Sequence, residues 1–557
     1  MRKNHIKLNH KKALASLYEP ISKIVNPPMI LSRLDSLKQI ELYLNNKRPQ
    51  TLIITLDKHL NVLDTHGKIL ASLNEFLTLL DNQFILAVET EDLSIAKAFI
   101  KAMELLNWYE FFIISMNQDI LLTCKNKNGY SNLILKITDI NTLDFNEIRI
   151  NKLLLPIEQL TKALISSLQY KTFFTLTETN TLIEREKALL SGINGIITNH
   201  PLRLIDRYES FKIPTHIRDI HFVAHRGLHN GYKYSRSPEN TLQTALHVVD
   251  AGVKTVEIDI HLTKDNEVVV IHDEKTNRLT KEKYEISKTT YQILKNIPLK
   301  QTYNQVDVST IKTLKDFLNP FKEKSVHFYI ETKVLSKELI KRTAIILASL
   351  KMIDRVTMIS FHYKNILWQQ TYLPTINNGF LYGKSLSKND DTLAQMIWFL
   401  IPLKATYNPN YSTVTEDMVR QLNYRGIGVY PWTADGVNDI FKIYNMGVAG
   451  ITTNTYDDIK DALIYIDISP TYEFIINQDP LTILIDNTSL SGIKKTMQSE
   501  LILVDDGQTN ISFEHNQIMA ATNPGEAYFY FDVKLNLLDG SIIHKTTQLF
   551  KVIVKAN

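Results

Sequence analysis

Eight short apolar runs separated by amphipathic stretches occupy residues 220 to 453, and few folds accept that rhythm. The expected strands are Ile220–Ala224, Thr255–Ile260, Val326–Glu331, Thr357–Phe361, Gly379–Tyr382, Ala405–Tyr407, Gly428–Trp432 and Gly450–Thr453. Helical periodicity fills the intervals, for example at Leu242–Asp250, Lys337–Leu350 and Val437–Tyr444. Strands alternating with helices in this number predict an α/β fold, a (β/α)8 TIM barrel. Such barrels place their chemistry at the C-terminal ends of the strands.

Chemistry-bearing residues sit at those ends. Ala224-His225-Arg226-Gly227, Pro238-Glu239-Asn240-Thr241, Glu257-Ile258-Asp259 and His272-Asp273 follow one another between residues 224 and 273. Side chains at i and i+2 of a strand share a side, so Glu257 and Asp259 can aim two oxygens at one point. Oxygen-only ligation suits one hard divalent cation, Mg²⁺ or Ca²⁺, rather than zinc. Glu331 closes another apolar run. Charged residues ending apolar strands are costly to bury without a cation, so Glu257, Asp259 and Glu331 read as metal ligands rather than surface carboxylates.

A cation with two histidines and an arginine is the equipment of phosphodiester cleavage. Cation and guanidinium offset charge on the phosphorus oxygens, while His225 and His272 move protons as an acid–base pair. Which of them is acid and which is base is left open. Arg226 can fork onto two phosphate oxygens, and Lys333 can add a second positive contact or pair with a ligand carboxylate. Asp273 either orients His272 or is structural, and Trp432 either walls a substrate pocket or is a core aromatic.

In these motifs the chain resembles the glycerophosphodiester phosphodiesterase family, which reads His-Arg-Gly, Pro-Glu-Asn-Thr, Glu-x-Asp with a downstream Thr-x-Asp, and His-Asp. Thr263-Lys264-Asp265 fills the downstream slot, and Glu331-Thr332-Lys333, Trp432-Thr433 and Gly447 to Asn454 are later landmarks. The resemblance spans roughly residues 219 to 465. It implies metal-dependent hydrolysis of a small glycerophosphodiester to glycerol 3-phosphate and an alcohol, with the divalent ion at Glu257, Asp259 and Glu331. It also implies that Glu239 and Asn240 brace the site. The same chemistry on a lysophospholipid or on polymeric glycerol phosphate such as teichoic acid is a second expectation. A catalytically silent binding or scaffold protein is a third. Sphingomyelinase D-like phospholipases share two histidines and an acidic metal site, but Pro-Glu-Asn-Thr argues against them. Two departures stand out: the long gap from Leu228 to Ser237, and Lys312-Thr313-Leu314 where the family has Pro-Thr-Leu. Residues 274 to about 310 fall where the family carries an insertion over its site, the natural seat of specificity.

The first half repeats the pattern without its chemistry. Ser72 to Leu77 and Phe84 to Glu91 parallel Thr313 to Leu318 and the strand ending Glu331-Thr332-Lys333. Phe112 to Ser115 matches Met358 to Ser360, and Gly192 to Asn199 matches Gly447 to Asn454. Thr51 to Leu56 falls opposite Thr255 to Ile260, with Ile53 and Thr55 in place of the carboxylates. Residues 1–215 are expected to form a degenerate, non-catalytic barrel, with His66 a bland histidine. An unrelated α/β domain is the alternative. Residues 216–466 form the catalytic barrel on this reading. Residues 467–557, with the alternating Phe531 to Leu537 and an Asp539-Gly540 turn, predict a small β-sandwich, immunoglobulin-like among its forms.

The chain of 557 residues is too long for one core, and its net charge of +4 gives no electrostatic case for nucleic acid. The basic start (Arg2, Lys3, Lys7, Lys11, Lys12) reads as a solvated tail or a weak contact with membrane or cell-wall polymer. Cys124 is the single cysteine, which excludes an intrachain disulfide. No stretch has the length of a membrane span and no signal-peptide core begins the chain, so a cytoplasmic protein is expected, or an exported one if a leader is missing.

Overall fold

The computed structural model describes residues 14–228, 237–300, 308–386 and 390–556. The basic start and most of Leu228 to Ser237 lie outside the described residues. The first half is a closed barrel of parallel strands: β1 (Met29–Arg33), β2 (Thr51–Leu56), β3 (Ile85–Glu89), β4 (Phe111–Ser115), β5 (Asn132–Lys136), β6 (Lys152–Leu155), β7 (Phe174–Thr179) and β8 (Gly195–Thr198). β1 pairs with both β2 and β8, which closes the ring. Ile53, Ala87, Phe112, Ile114 and Leu176 fill its interior, so it is a packed core and not a pore.

The second barrel follows the same plan. Its strands are β9 (His221–Ala224), β10 (Thr255–Leu262), β11 (His327–Thr332), β12 (Val356–Ser360), β13 (Asn377–Tyr382), β14 (Ala405–Pro409) and β15 (Gly450–Thr453), all parallel. The expected strand Gly428–Trp432 is not a regular strand; it is an extended segment that bridges β14 at Tyr407 and the residue just beyond β14, Asn410. It also takes the backbone N–H groups of Ala449 and Thr452 onto its carbonyls, so it spans the gap between β14 and β15. Pro431 in this segment has no N–H to offer a ladder, one physical reason that it stays irregular. Phe361 lies one residue beyond β12 rather than within it.

The two barrels match in register. Thr51 pairs with Ile85 and Ile53 with Ala87, as Thr255 pairs with His327 and Glu257 with Tyr329. β2 and β10 each carry an antiparallel hairpin strand, at Asn61–Leu63 and Val268–Val270. Hydroxyl caps start equivalent helices: Ser72 accepts from the Glu75 N–H before Leu73–Leu80, and Thr313 from the Asp316 N–H before Leu314–Leu318. Such caps contribute about 1 kcal/mol each. Gly192 and Gly447 turn the chain into the last strands at φ +79 and +72, a region unfavourable for side-chain-bearing residues.

The barrels meet at the N-terminal ends of their strands. Asn132 at the start of β5 donates to the Arg425 carbonyl, and Asn377 at the start of β13 donates to the Lys171 carbonyl. Tyr430 reaches the Gln169 carbonyl, and the buried Arg425 pairs with Glu110. Both mouths therefore face away from the contact.

The last region is rich in sheet. Thr471–Ile475, Gln498–Asp505, Gly525–Asn536, Ile542–Thr546 and Phe550–Lys555 form one sheet, which Thr215–His216 from between the barrels joins. Smaller two- and three-stranded sheets accompany it, and Phe513 meets Phe529 edge to face at 5.4 Å. Lys545 with Asp219, and Arg207 with Tyr530, tie it to the rest. No helix among the described residues is long and apolar enough to cross a membrane.

Candidate active site

β10 and β11 lie side by side with Asp259 opposite Glu331 and Glu257 opposite Tyr329. The alternation of a strand sends Val256, Ile258 and Ile260 to the helix-covered face, where they join the main core. Glu257, Asp259 and Glu331 must then point into the barrel mouth, and all three are buried there. Each offers an oxygen within 4.8 Å of the others, and they are the one such ligand group among the described residues.

Electrostatic conflict is written into this cluster. Burial first, then the nearby Asp259 and Glu331, hold the Glu257 carboxyl well above its ordinary value. Burial and Asp259 likewise raise Glu331 to about 7. Burial pushes Asp259 the same way, but Lys333 and Arg226 outweigh it and bring it to about 2. Glu257 Oε1 and Asp259 Oδ1 accept no hydrogen bond among the described residues, although Lys333 Nζ stands 3.5 Å from Asp259 Oδ1. Buried carboxylate oxygens left without donors fit a divalent cation with oxygen ligands.

The remaining expected residues surround the cluster. Lys333 Nζ lies 2.8 Å from Glu331 Oε1, so in this state it pairs with a carboxylate. Arg226 contacts Glu239 at 3.1 Å and Asp259 at 3.4 Å, and its backbone N–H donates to Glu257 Oε2. Asn240 donates from Nδ2 to Asp259 Oδ2 at 2.8 Å and accepts the Asp259 N–H. Arg226 and Asn240 both hold left-handed backbone, and the Asn240 N–H donates to the Arg226 carbonyl. Strained residues held by hydrogen bonds are characteristic of functional loops.

The two histidines have different partners. His225 Nε2 is 4.0 Å from Glu257 Oε2, and its Nδ1 meets Asn454 Oδ1 at 2.8 Å. His272 Nδ1 donates to Asp273 Oδ1 at 2.6 Å, and burial is the main influence lowering its pKa. Trp432 is half-buried, donates to the Asn408 carbonyl, and meets Phe361 edge to face at 5.4 Å. Asp265 is not part of the site; it accepts Thr263 Oγ1–H and the Tyr291 N–H in a turn below it. His66 is exposed on the first barrel's hairpin turn.

Three residues that the motifs did not single out as site groups complete the arrangement. Arg278, inside the segment after Asp273, forks onto Glu239 at 2.6 and 2.7 Å and reaches Asp273 at 2.6 Å. Asn454 ends the final strand motif, and Asp435 holds its amide nitrogen at 2.8 Å. An Asn directly after a barrel strand was a usable signal for Asn454; nothing local marks Arg278.

At the mouth of the first barrel the matching places are filled differently. Glu89 stands at the position of Glu331, but Arg33 and Lys136 each lie 2.7 Å from it, and Arg33 also pairs with Glu178.

The family model of the glycerophosphoryl diester phosphodiesterase family matches residues 225–458. A glycerophosphodiester phosphodiesterase of Bacillus altitudinis is 30% identical over 250 residues, covering 42% of this chain and 94% of that protein. One from Caldanaerobacter subterraneus subsp. tengcongensis is 25% identical over 238 residues, covering 42% and 93%. Among solved structures, an Oleispira antarctica phosphodiesterase in complex with the product sn-glycerol 3-phosphate aligns with TM-score 0.37 at 22% identity, over 43% of this chain and 94% of that one.

Proposed function

The chain belongs to the glycerophosphoryl diester phosphodiesterase family and is an enzyme of it, and we propose that residues 216–466 hydrolyse glycerophosphodiesters to glycerol 3-phosphate and an alcohol. Its chief support is the convergence of three buried carboxylates, with donor-poor oxygens, between two histidines whose Nδ1 atoms are both engaged. Glu257, Asp259 and Glu331 would hold one divalent cation, Mg²⁺ or Ca²⁺. Bound there, the cation would act as a Lewis acid that offsets charge on the phosphoryl oxygens.

The chain's own groups supply the rest. Arg226 and Lys333 bring positive charge to the same oxygens once substrate competes for them. Each histidine would move its proton through Nε2, the ring nitrogen opposite the engaged Nδ1. One takes a proton from the attacking water, and the other gives a proton to the departing alkoxide as the phosphorus–oxygen bond breaks. Glu239 and Asn240 brace Arg226 and Asp259, Asp273 orients His272, and Trp432 walls the glycerol side.

Residues 1–215 take no part in this chemistry on our reading. Ile53 and Thr55 replace two ligands, and the Arg33 guanidinium stands beside Glu89 as a built-in cation. Residues 467–557 would serve packing. The test is release of choline from glycerophosphocholine by the whole protein, with and without chelator. Turnover lost on chelation and restored by Mg²⁺ or Ca²⁺ is expected; no release with either ion would sink the proposal.

A further inference from the structure

At the end of the second barrel opposite its catalytic mouth, a cleft of about 700 Å³ lies where three parts of the chain meet. The helix Lys162–Tyr170 of the first barrel and the strand Ile464–Asp467 form two of its walls. Lys254, His327 and Arg355, at the starts of β10, β11 and β12, belong to the third. Positive charge is left over here. Asp219 pairs with Lys545 at 2.7 Å, Asp354 with Lys171 at 3.4 Å, and Lys324 with Asp250 at 2.8 Å. Glu323 and Asp467 are the acidic groups that remain against Lys162, Lys254, Lys322 and Arg355. None of those four cations has an ion pair among the described residues; Lys162 donates to the Thr546 carbonyl and Arg355 to the Phe321 carbonyl. Lys254 Nζ stands over the Tyr170 and Tyr465 rings, 5.9 and 5.3 Å from their centres. His327 is only 7% exposed, and its Nδ1 has no hydrogen-bond partner among the described residues, while Nε2 meets Thr357 Oγ1 at 2.9 Å. With the Thr357 hydroxyl donating to Nε2, the ring hydrogen is on Nδ1 and needs an acceptor.

We propose that this cleft binds a phosphate dianion, carried by inorganic phosphate or a phosphomonoester, and that the bound anion fastens the first barrel to the catalytic one. Four cations against two carboxylates leave an excess that a dianion offsets. A phosphate group also turns acceptor oxygens to several sides at once, as donors on separate walls require. The cleft has the size of a small-molecule site. Burial lowers Lys162 to about 8, and an anion beside it favours its charged form. Lys162 and Tyr170 come from the first barrel, Lys254 and His327 from the second, so one ligand bridges the two. On this reading the non-catalytic barrel supplies half of a binding site.

The experiment titrates the whole protein, in chelator, with inorganic phosphate and with glycerol 3-phosphate at constant ionic strength, read by calorimetry. A site should fill in the wild type and remain in Arg226→Gln, which removes a cation of the catalytic mouth. Lys254→Gln and Lys162→Gln, one on each barrel, should each weaken it by about tenfold. Lys254 is exposed, and Lys162→Gln keeps a donor for the Thr546 carbonyl, so the variants remove charge and not the fold. Glycerophosphocholine turnover of Lys254→Gln in phosphate-free buffer should match the wild type. The melting temperature should rise with phosphate in the wild type and much less in Lys254→Gln. Equal affinity for the two ligands assigns the cleft to free phosphate, and tighter glycerol 3-phosphate assigns it to a phosphomonoester. No saturable binding of either, binding that Lys254→Gln leaves intact, or binding lost in Arg226→Gln overturns the site. Binding indifferent to Lys162→Gln overturns the bridge between the barrels. Because binding is read without turnover, the outcome is separate from that of the hydrolytic reading.

Discussion

Asn454 Oδ1 lies 2.8 Å from His225 Nδ1, while the amide nitrogen of Asn454 donates to Asp435 Oδ2 at 2.8 Å. Asp435 thereby settles which end of the amide faces the histidine. An amide oxygen only accepts, so His225 Nδ1 must carry the hydrogen, and in a neutral ring Nε2 is then the unprotonated nitrogen.

Asn454→Ala should therefore disturb catalysis without touching substrate. We expect kcat to fall by about tenfold to a hundredfold with KM little changed. The imidazole nitrogen resonances of His225 should show mixed tautomers. Wild-type kcat with unaltered resonances would remove Asn454 from this role.

Glu257→Ala and Asp259→Ala should each abolish divalent-dependent turnover while leaving the fold intact. Losing a ligand from a site that offsets phosphoryl charge should lower kcat/KM by about a thousandfold or more. Titration with Mg²⁺ and Ca²⁺ reads the result; either variant with full activity would contradict the ligand set.

Glu331 predicts a pH effect. Burial and Asp259 hold its carboxyl at about 7, above the ordinary 4.5. A folded-state pKa raised in this way stabilises the metal-free fold fully below about 4.5, and that contribution is lost as pH rises through 7. Cation binding uses the deprotonated carboxylate and removes the loss. The melting temperature of loaded protein minus that of chelated protein should widen from about pH 5 to pH 7.5. Glu331→Gln should flatten the chelated protein's slope over that range; an unchanged slope would count against the assignment.

Arg278→Ala should loosen both Glu239 and Asp273, which the one guanidinium holds. We expect about a tenfold loss in kcat and a shift in the pH limb belonging to His272. An unshifted profile with wild-type kcat would leave Arg278 a surface residue of the segment after Asp273.

Arg33→Ala should cost stability and not activity. It leaves Glu89 and Glu178 facing each other with Lys136 alone, at a cost of about 2 kcal/mol. Thermal denaturation and a glycerophosphocholine assay on the same sample separate the two; lost activity at full stability would give the first barrel a catalytic part.

The local codes were legible in the chain itself. Leu242–Asp250, Lys337–Leu350, Val437–Tyr444 and Gly450–Thr453 are formed as their patterns predict, because periodicity and caps act over a few residues. The same holds for Glu257 and Asp259, whose shared direction follows from strand alternation. Gly428–Trp432 escaped this code, since an extended segment without a regular ladder has the same apolar pattern as a strand. What only the tertiary structure decided are the long-range pairings. Asn454 meets His225 across 229 residues, because closing the barrel brings its first and last strands together. Arg278 reaches Glu239 across 39 residues, and Arg33 stands beside Glu89 only once the first barrel closes. Periodicity carries no information about such contacts, which depend on register and ring closure rather than on neighbours in sequence.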